Sequence, residues 1–413
     1  MANSKTILIV GTFDTKKDEL SYLSDCIKSQ NGNVLTMDVS VLGNTEFPCN
    51  ISKHDVASSA NYTIEKVKKS GDENSSMQIM AKGAANLTFD LYNNKKIHGV
   101  IILGGTMGTD LGLEVCQSLP MGVPKYIVST VSFSPLISAD RLSPDIQMIL
   151  WAGGLYGLNS VCKSSLSQAA GAVLGAAEAA EMPSKNRPVI GMTSLGSSCL
   201  SYMKTLKPAL EARGFEVAIF HATGMGGMAF ERIAHNGDFA CVVDFALCEI
   251  SNLLAGSVVN AGENRMLSAG ISKTPQIVAP GCIDLIDFAG WQEIPDQYKD
   301  RPFHEHNRLI KSSALNNEER RETAREISKR MNTSSSPVAF IMPNKGIEEW
   351  DKEGEPAHDP EGLISFLDEI RKKVKHPIEY HEINCHINDL GFSDKAIEIL
   401  DEWIKKGIVK AHV

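Results

Sequence analysis

Lys5-Thr6-Ile7-Leu8-Ile9-Val10-Gly11-Thr12-Phe13-Asp14-Thr15-Lys16 decides the fold. Lys5–Val10 is a β-branched apolar run that breaks at Gly11. Behind it, Lys16–Gln30 carries Leu20, Leu23 and Ile27 at helical spacing. A strand that turns on glycine into an amphipathic helix is the first unit of a parallel α/β sheet. The same alternation continues outward. Asn33–Val39, Gly99–Leu103 and Lys125–Val131 read as further strands, separated by helical stretches at 54–70, 73–95 and from Gly104 to about Leu119. Ser40–Ser52 reads as an excursion broken by Gly43 and Pro48. Strands alternating with helices of this length imply right-handed parallel crossovers.

The small-residue stretch 165–182 reads as a helix able to pack closely against a neighbour, and 183–188 as a linker. The pattern then restarts. Val189–Thr193, Glu216–Phe220, Phe239–Val243, Gln276–Ala279 and Val338–Met342 are expected strands. Ser197–Arg213, Glu361–Lys373 and Ser393–Lys406 are expected helices, the last capped by Ser393. The expectation is therefore an α/β chain of two Rossmann-like parallel-sheet domains in tandem, over 1–183 and 189–413. The length of 413 residues agrees, because single cores rarely grow that large.

Composition narrows the function classes. Hydrophobic residues at 43% and charged residues at 22% describe a globular chain. A net charge of −9 argues against a nucleic-acid backbone as partner. No apolar run reaches the ~18 residues that suggest a membrane span. Nine scattered cysteines without a CxxC pair fit a reducing, cytoplasmic setting.

Ligands of open parallel sheets lie beyond the carboxyl ends of the strands. Four glycine- and hydroxyl-rich loops fall there: Gly11–Lys16, Gly104–Thr109, Ser129–Ser132 and Ala222–Gly227. Glycines let backbone approach a ligand, and free amides at a helix start attract an anion. The candidate nucleotide-binding residues are Gly11, Thr12, Asp14, Thr15, Lys16, Asp38, Gly104, Gly105, Thr106, Gly108, Thr109, Ser129 and Thr130. Asp14 is the candidate metal ligand, with a helix N-cap as its alternative role. Asp38, after the second strand, is placed to bond a ribose hydroxyl. Neither a Walker A nor a GxGxxG motif occurs.

The second half offers His221, Asp244, Glu249, Arg265, Asp284 and Asp287 near predicted strand ends, and His386 before Asn388 and Asp389. Of these, His221, Asp244, Arg265 and His386 are the candidate catalytic set for an enzyme acting on a small carboxylate between the halves. Structural ion pairs and turns are their alternative roles. Cys199 sits at an expected helix start, where a thiolate is stabilised, although a buried inert thiol is the commoner case. His304 and His306 could share a strand face, whereas His381 and His386 would point to opposite faces of one.

These segments resemble the Tm-1-like ATP-binding family, also called uncharacterised protein family UPF0261. The residues carrying the resemblance are Gly11–Lys16 with Glu19-Leu20, Gly104–Thr109, Ser129–Val131, Phe220–Gly227, Ala279–Asp284 and His386–Asp389. The resemblance implies two Rossmann-like subdomains, ATP and Mg2+ bound in the first, and a homodimer. The chain departs from the family pattern at Ser132-Phe133-Ser134-Pro135, at His306-Asn307-Arg308 and at Lys311-Ser312. Three functions follow as expectations: a cytoplasmic ATP- and Mg2+-binding protein, an enzyme for phosphoryl transfer or hydrolysis, or a protein-binding module that nucleotide stabilises.

Overall fold

A computed structural model describes residues 4–184, 186–196, 201–355 and 357–411. The chain divides into two compact units between Pro183 and Ser184.

Unit 1 runs β1 (Thr6–Gly11), α1 (Lys17–Ser29), β2 (Asn33–Asp38), α2 (Lys53–Ser59), α3 (Ile64–Lys68), α4 (Glu73–Asn93), β3 (Gly99–Gly104), α5 (Thr106–Ser118), β4 (Lys125–Ser129), β5 (Gln147–Leu150) and α6 (Ser160–Ala179). Its sheet has the order β2-β1-β3-β4-β5, with every pairing parallel. The apolar run of β1 is explained by helices on both faces. Leu8 and Val10 join the core under α4 and α5, while Ile7 and Ile9 join the one under α1 and α6. The order reverses between β1 and β3, which makes the mouth between their C-terminal ends the topological switch point.

Unit 2 runs β6 (Val189–Ser194), α7 (Ser201–Glu211), β7 (Glu216–His221), α8 (Met225–His235), β8 (Cys241–Ala246), α9 (Cys248–Leu254), α10 (Ser268–Ile271), β9 (Gln276–Gly281), β10 (Leu285–Ala289), β11 (His304–Glu305), β12 (Ile310–Ala314), α11 (Asn317–Asn332), β13 (Val338–Pro343), α12 (Pro360–Lys373), β14 (Glu379–Ile383) and α13 (Leu390–Lys405). Its parallel sheet has the order β14-β13-β9-β8-β6-β7, the course of unit 1 extended by one strand. The fold is α/β, with two Rossmann-like parallel sheets in tandem.

Several local expectations are corrected. Helix α6 starts at Ser160 because Asn159 caps it, accepting from the Cys162 amide. The 54–70 stretch is two helices, capped separately by Ser52 and Thr63. Helix α13 begins after Asp389, which leaves Ser393 buried inside it. Strand β5, the antiparallel sheet β10-β12-β11 and the polar helix α11 lie outside the expected elements. Cys199 lies outside the described residues.

Candidate functional site

The β1 loop and the start of α5 face each other across the switch point. Between them lies a cleft of about 270 Å³, lined by Gly11, Thr12, Lys16, Gly104, Gly105, Thr106 and Gly108. Apolar walls come from Val39, Met77, Ile102, Leu103, Met107 and Leu111. Met77 reaches the cleft from α4, a contribution without any local signal in the sequence. Helix α5 has no side-chain cap, and its first turn holds no acid. Its N-terminal amides therefore stay available, with the positive end of the helix dipole behind them. Gly104 is obligatory here, because an added Cβ would stand 2.5 Å from the Cα of Gly108. Gly105 is different: its Cβ would meet nothing nearer than Thr130 Oγ1 at 3.8 Å. Lys16 forms no ion pair among the described residues, whereas neighbouring Lys17 approaches Glu46 at 3.9 Å.

The remaining candidates of this half shape the cleft from behind. Asp14 is not a helix cap, since Lys16 occupies that position without a side-chain bond. Its carboxylate accepts from Ser40 Oγ at 2.9 Å and from the Gly43 amide at 3.0 Å, outside the cleft lining. Asp38 is buried, and its Oδ1 accepts from the amides of Phe13 and Ser40 and from Ser40 Oγ. These bonds clasp the β1 loop to the end of β2. Thr15 bonds Thr12 through their hydroxyls at 2.9 Å. Thr109 and Ser129 are buried and bonded to each other at 2.6 Å, which fastens α5 to β4. Thr130 donates its amide to Gly104 O at 3.3 Å. The structure thus brings seven of the thirteen candidates to one cleft and uses the other six as its frame.

In unit 2, the loop before α8 is filled from inside. Glu249 Oε1 accepts from the amides of Gly224 at 2.6 Å and Gly227 at 3.2 Å. A Cβ at Gly227 would overlap that carboxylate. Arg265 anchors Glu249 through Nε at 2.7 Å. Its Nη1 donates to Asp244 at 2.5 Å and Glu231 at 3.2 Å. Its Nη2 donates to Asp244 at 2.7 Å and Ala246 O at 3.0 Å. All five guanidinium donors are therefore committed, and none remains for a substrate. Asp244 Oδ1 also accepts from Thr193 Oγ1. Burial raises the carboxyls of Glu231 and Glu249, with Arg265 opposing it. Arg265 and Asp244 are thus a buried structural clasp, and the catalytic reading of this pair is corrected. His221 is exposed, with Nδ1 accepting from the Gly196 amide at 3.4 Å.

His386 belongs to a different group. It is buried, its Nδ1 accepts from the Asn388 amide, and Nε2 lies 2.8 Å from Glu348 O and 3.0 Å from Asp351 Oδ1. Nε2 is therefore the donor. The four candidate catalytic residues do not converge on one reacting position. Asp284 and Glu348 stand near this histidine's loop, both fully buried. Both oxygens of Asp284 and Oε1 of Glu348 lack a hydrogen-bond partner. Sequence reasoning named Asp284 but missed Glu348, whose only signal is an acid in the polar loop after β13. His304 packs edge-on to Trp350 and His306 lies tilted beside it, with ring centroids 5.2 and 6.3 Å away. Among the described residues, no group of three or more His, Cys, Asp or Glu side chains could hold a metal ion, and no helix is long and apolar enough to cross a membrane.

Two parallel-sheet units, the first with a glycine-lined switch-point cleft, define the class of this chain. The pattern of the Uncharacterised protein family (UPF0261) N-terminal domain matches residues 5–182, and that of the family's C-terminal domain matches 187–404. The chain belongs to this Tm-1-like family. A UPF0261 protein of Brucella melitensis is 50% identical over 407 residues, covering 98% of this chain and 97% of its own. A UPF0261 protein of Clostridium tetani is 32% identical over 408 residues, covering 98% and 100%. The ToMV resistance protein Tm-1(GCR237) of Solanum lycopersicum is 28% identical over 422 residues, covering 96% of this chain and 55% of that one.

Proposed function

We propose that this chain is a nucleotide-binding protein whose ligand phosphates sit in the cleft between β1 and α5. The observation that carries the reading is the uncapped start of α5 opening on the switch-point cleft. Amides of the first α5 turn would hold the phosphate oxygens, and Lys16 would offset their charge. Val39 and Met77 give apolar surface for the rest of the ligand. ATP is the proposed nucleotide, following the family resemblance. Asp14 does not line the cleft, so it is not placed to ligate Mg2+ carried by phosphates held there. Mg2+ would instead arrive on the phosphates, keeping its waters.

Isothermal titration with ATP, with and without Mg2+, tests this. A saturable signal is expected in both conditions, since the amides bind the phosphates themselves. No heat at millimolar nucleotide contradicts the proposal. The clasp around Arg265 disfavours an enzyme built on His221, Asp244, Arg265 and His386. Binding without phosphate release over hours is accordingly expected. The homodimer remains part of the proposal, checked by light scattering with and without ATP.

A further inference from the structure

Two segments of unit 2 that the nucleotide reading does not use meet at one end of its sheet. Asp284 follows β9, and His386 follows β14. Between them in the sheet, the loop after β13 contributes Glu348 and Asp351. Asp351 is tied down, accepting from the Ile347 amide at 2.6 Å and facing His386 Nε2 at 3.0 Å. Glu348 Oε2 accepts from the Trp350 amide at 2.9 Å. Three buried carboxylate oxygens remain without a donor: both of Asp284 and Oε1 of Glu348.

The charges facing this group come from every neighbouring element. Arg320 of α11 is the cation acting on Asp284, and it also pairs with Asp359 at 3.1 Å. Asp287 of β10 adds negative charge, although Ser312 and Asn252 satisfy its oxygens. Glu349 and Asp351 add more around Glu348. One shared arginine cannot balance these acids, and a buried carboxylate without compensation costs several kcal/mol. Taking up a proton relieves this excess of buried negative charge.

We propose that this cluster is a proton-binding site: Asp284 and Glu348, whose buried oxygens lack donors, together hold one proton in the folded protein, and that proton keeps the loops after β9 and β13 closed over the sheet. Burial and the neighbouring Asp284 raise the Glu348 carboxyl from 4.5 to about 9, and burial raises Asp284 from 3.8 to about 6. Both shifts favour the folded state most at low pH. That contribution is full below the unfolded values near 4 and falls as pH rises, through about 6 for Asp284 and about 9 for Glu348.

The test is calorimetry of the full-length chain from pH 5 to 9. The unit 2 transition of the wild type is expected to move to lower temperature as pH rises. In the Glu348→Gln variant the slope between pH 7 and 9 should flatten and the melting temperature at pH 9 should rise above wild type. The amide mimics the protonated acid, so this variant is expected to fold. Failure to fold, or an unchanged slope, overturns the proposal. Mn2+ alone is the second probe. If it raises the wild-type transition but not that of Asp284→Asn, the oxygens hold a metal, and the proton assignment fails.

Discussion

Gly104-Gly105-Thr106-Met107-Gly108 and Thr223-Gly224-Met225-Gly226-Gly227 are built from nearly the same residues, and each leads from a strand into a helix. Their fates differ. The first leaves the α5 amides open on a cleft, while the second has its amides covered by Glu249 from inside the fold. Both loops obey the same rule, that a helix start attracts negative charge. What separates them is the source of that charge. In unit 2 it is a resident carboxylate fixed by Arg265, and in unit 1 we assign it to a ligand. A glycine-rich strand–helix junction thus offers amides to negative charge, and its sequence does not say whether the protein supplies that charge itself.

The largest effect should come from breaking the internal anion. Arg265→Met would leave Asp244, Glu231 and Glu249 buried without their cation. Denaturant unfolding should show unit 2 destabilised by about 3–5 kcal/mol, with ATP binding by unit 1 retained. Glu249→Ala goes further into the comparison, because it uncovers the α8 amides beside an intact arginine. This variant should lose about 3 kcal/mol and gain a phosphate-dependent rise in the unit 2 melting temperature beyond any that wild type shows. If phosphate has no effect on it, the two junctions are not equivalent and the comparison fails.

Much of this was legible in sequence. The apolar run of Lys5–Val10, the strand-end glycines and the restart at Val189 are local features, and strand alternation followed from them. Seven cleft residues were found because glycine and hydroxyl chemistry is also local. Thr109 and Ser129 were misplaced because a hydroxyl reads alike whether it faces a ligand or its neighbour across a helix–strand contact. Glu249 and Arg265 each look like free polar residues until the fold brings them together. Met77 and Glu348 reach their sites from an α4 face and a loop, without any motif. Strand β5 is short and half exposed, so it lacks the apolar run that marks the other strands.

Smaller effects sharpen the unit 1 side. Ser129→Ala removes the partner of Thr109 and of the Val131 amide. It should cost about 1–2 kcal/mol of stability and leave ATP affinity within twofold, because neither hydroxyl lines the cleft. Lys16→Ala should weaken ATP by severalfold, more at low salt than at high, with stability changed by less than about 0.5 kcal/mol.

The central claim is that α5 amides hold the nucleotide, and Thr106→Pro tests it most directly. Thr106 is the first residue of α5, where proline is well tolerated, so the change removes a free amide together with the cleft-lining Thr106 hydroxyl, and Thr106→Val, which removes the hydroxyl alone, is its control. Gly105 before it is extended, at φ −76° and ψ −154°, outside the α region that a following proline disfavours. Titration calorimetry should show ATP affinity at least about tenfold weaker, the loss of one charge-assisted bond, with the melting temperature nearly unchanged. Wild-type affinity in a folded Thr106→Pro protein would contradict the assignment.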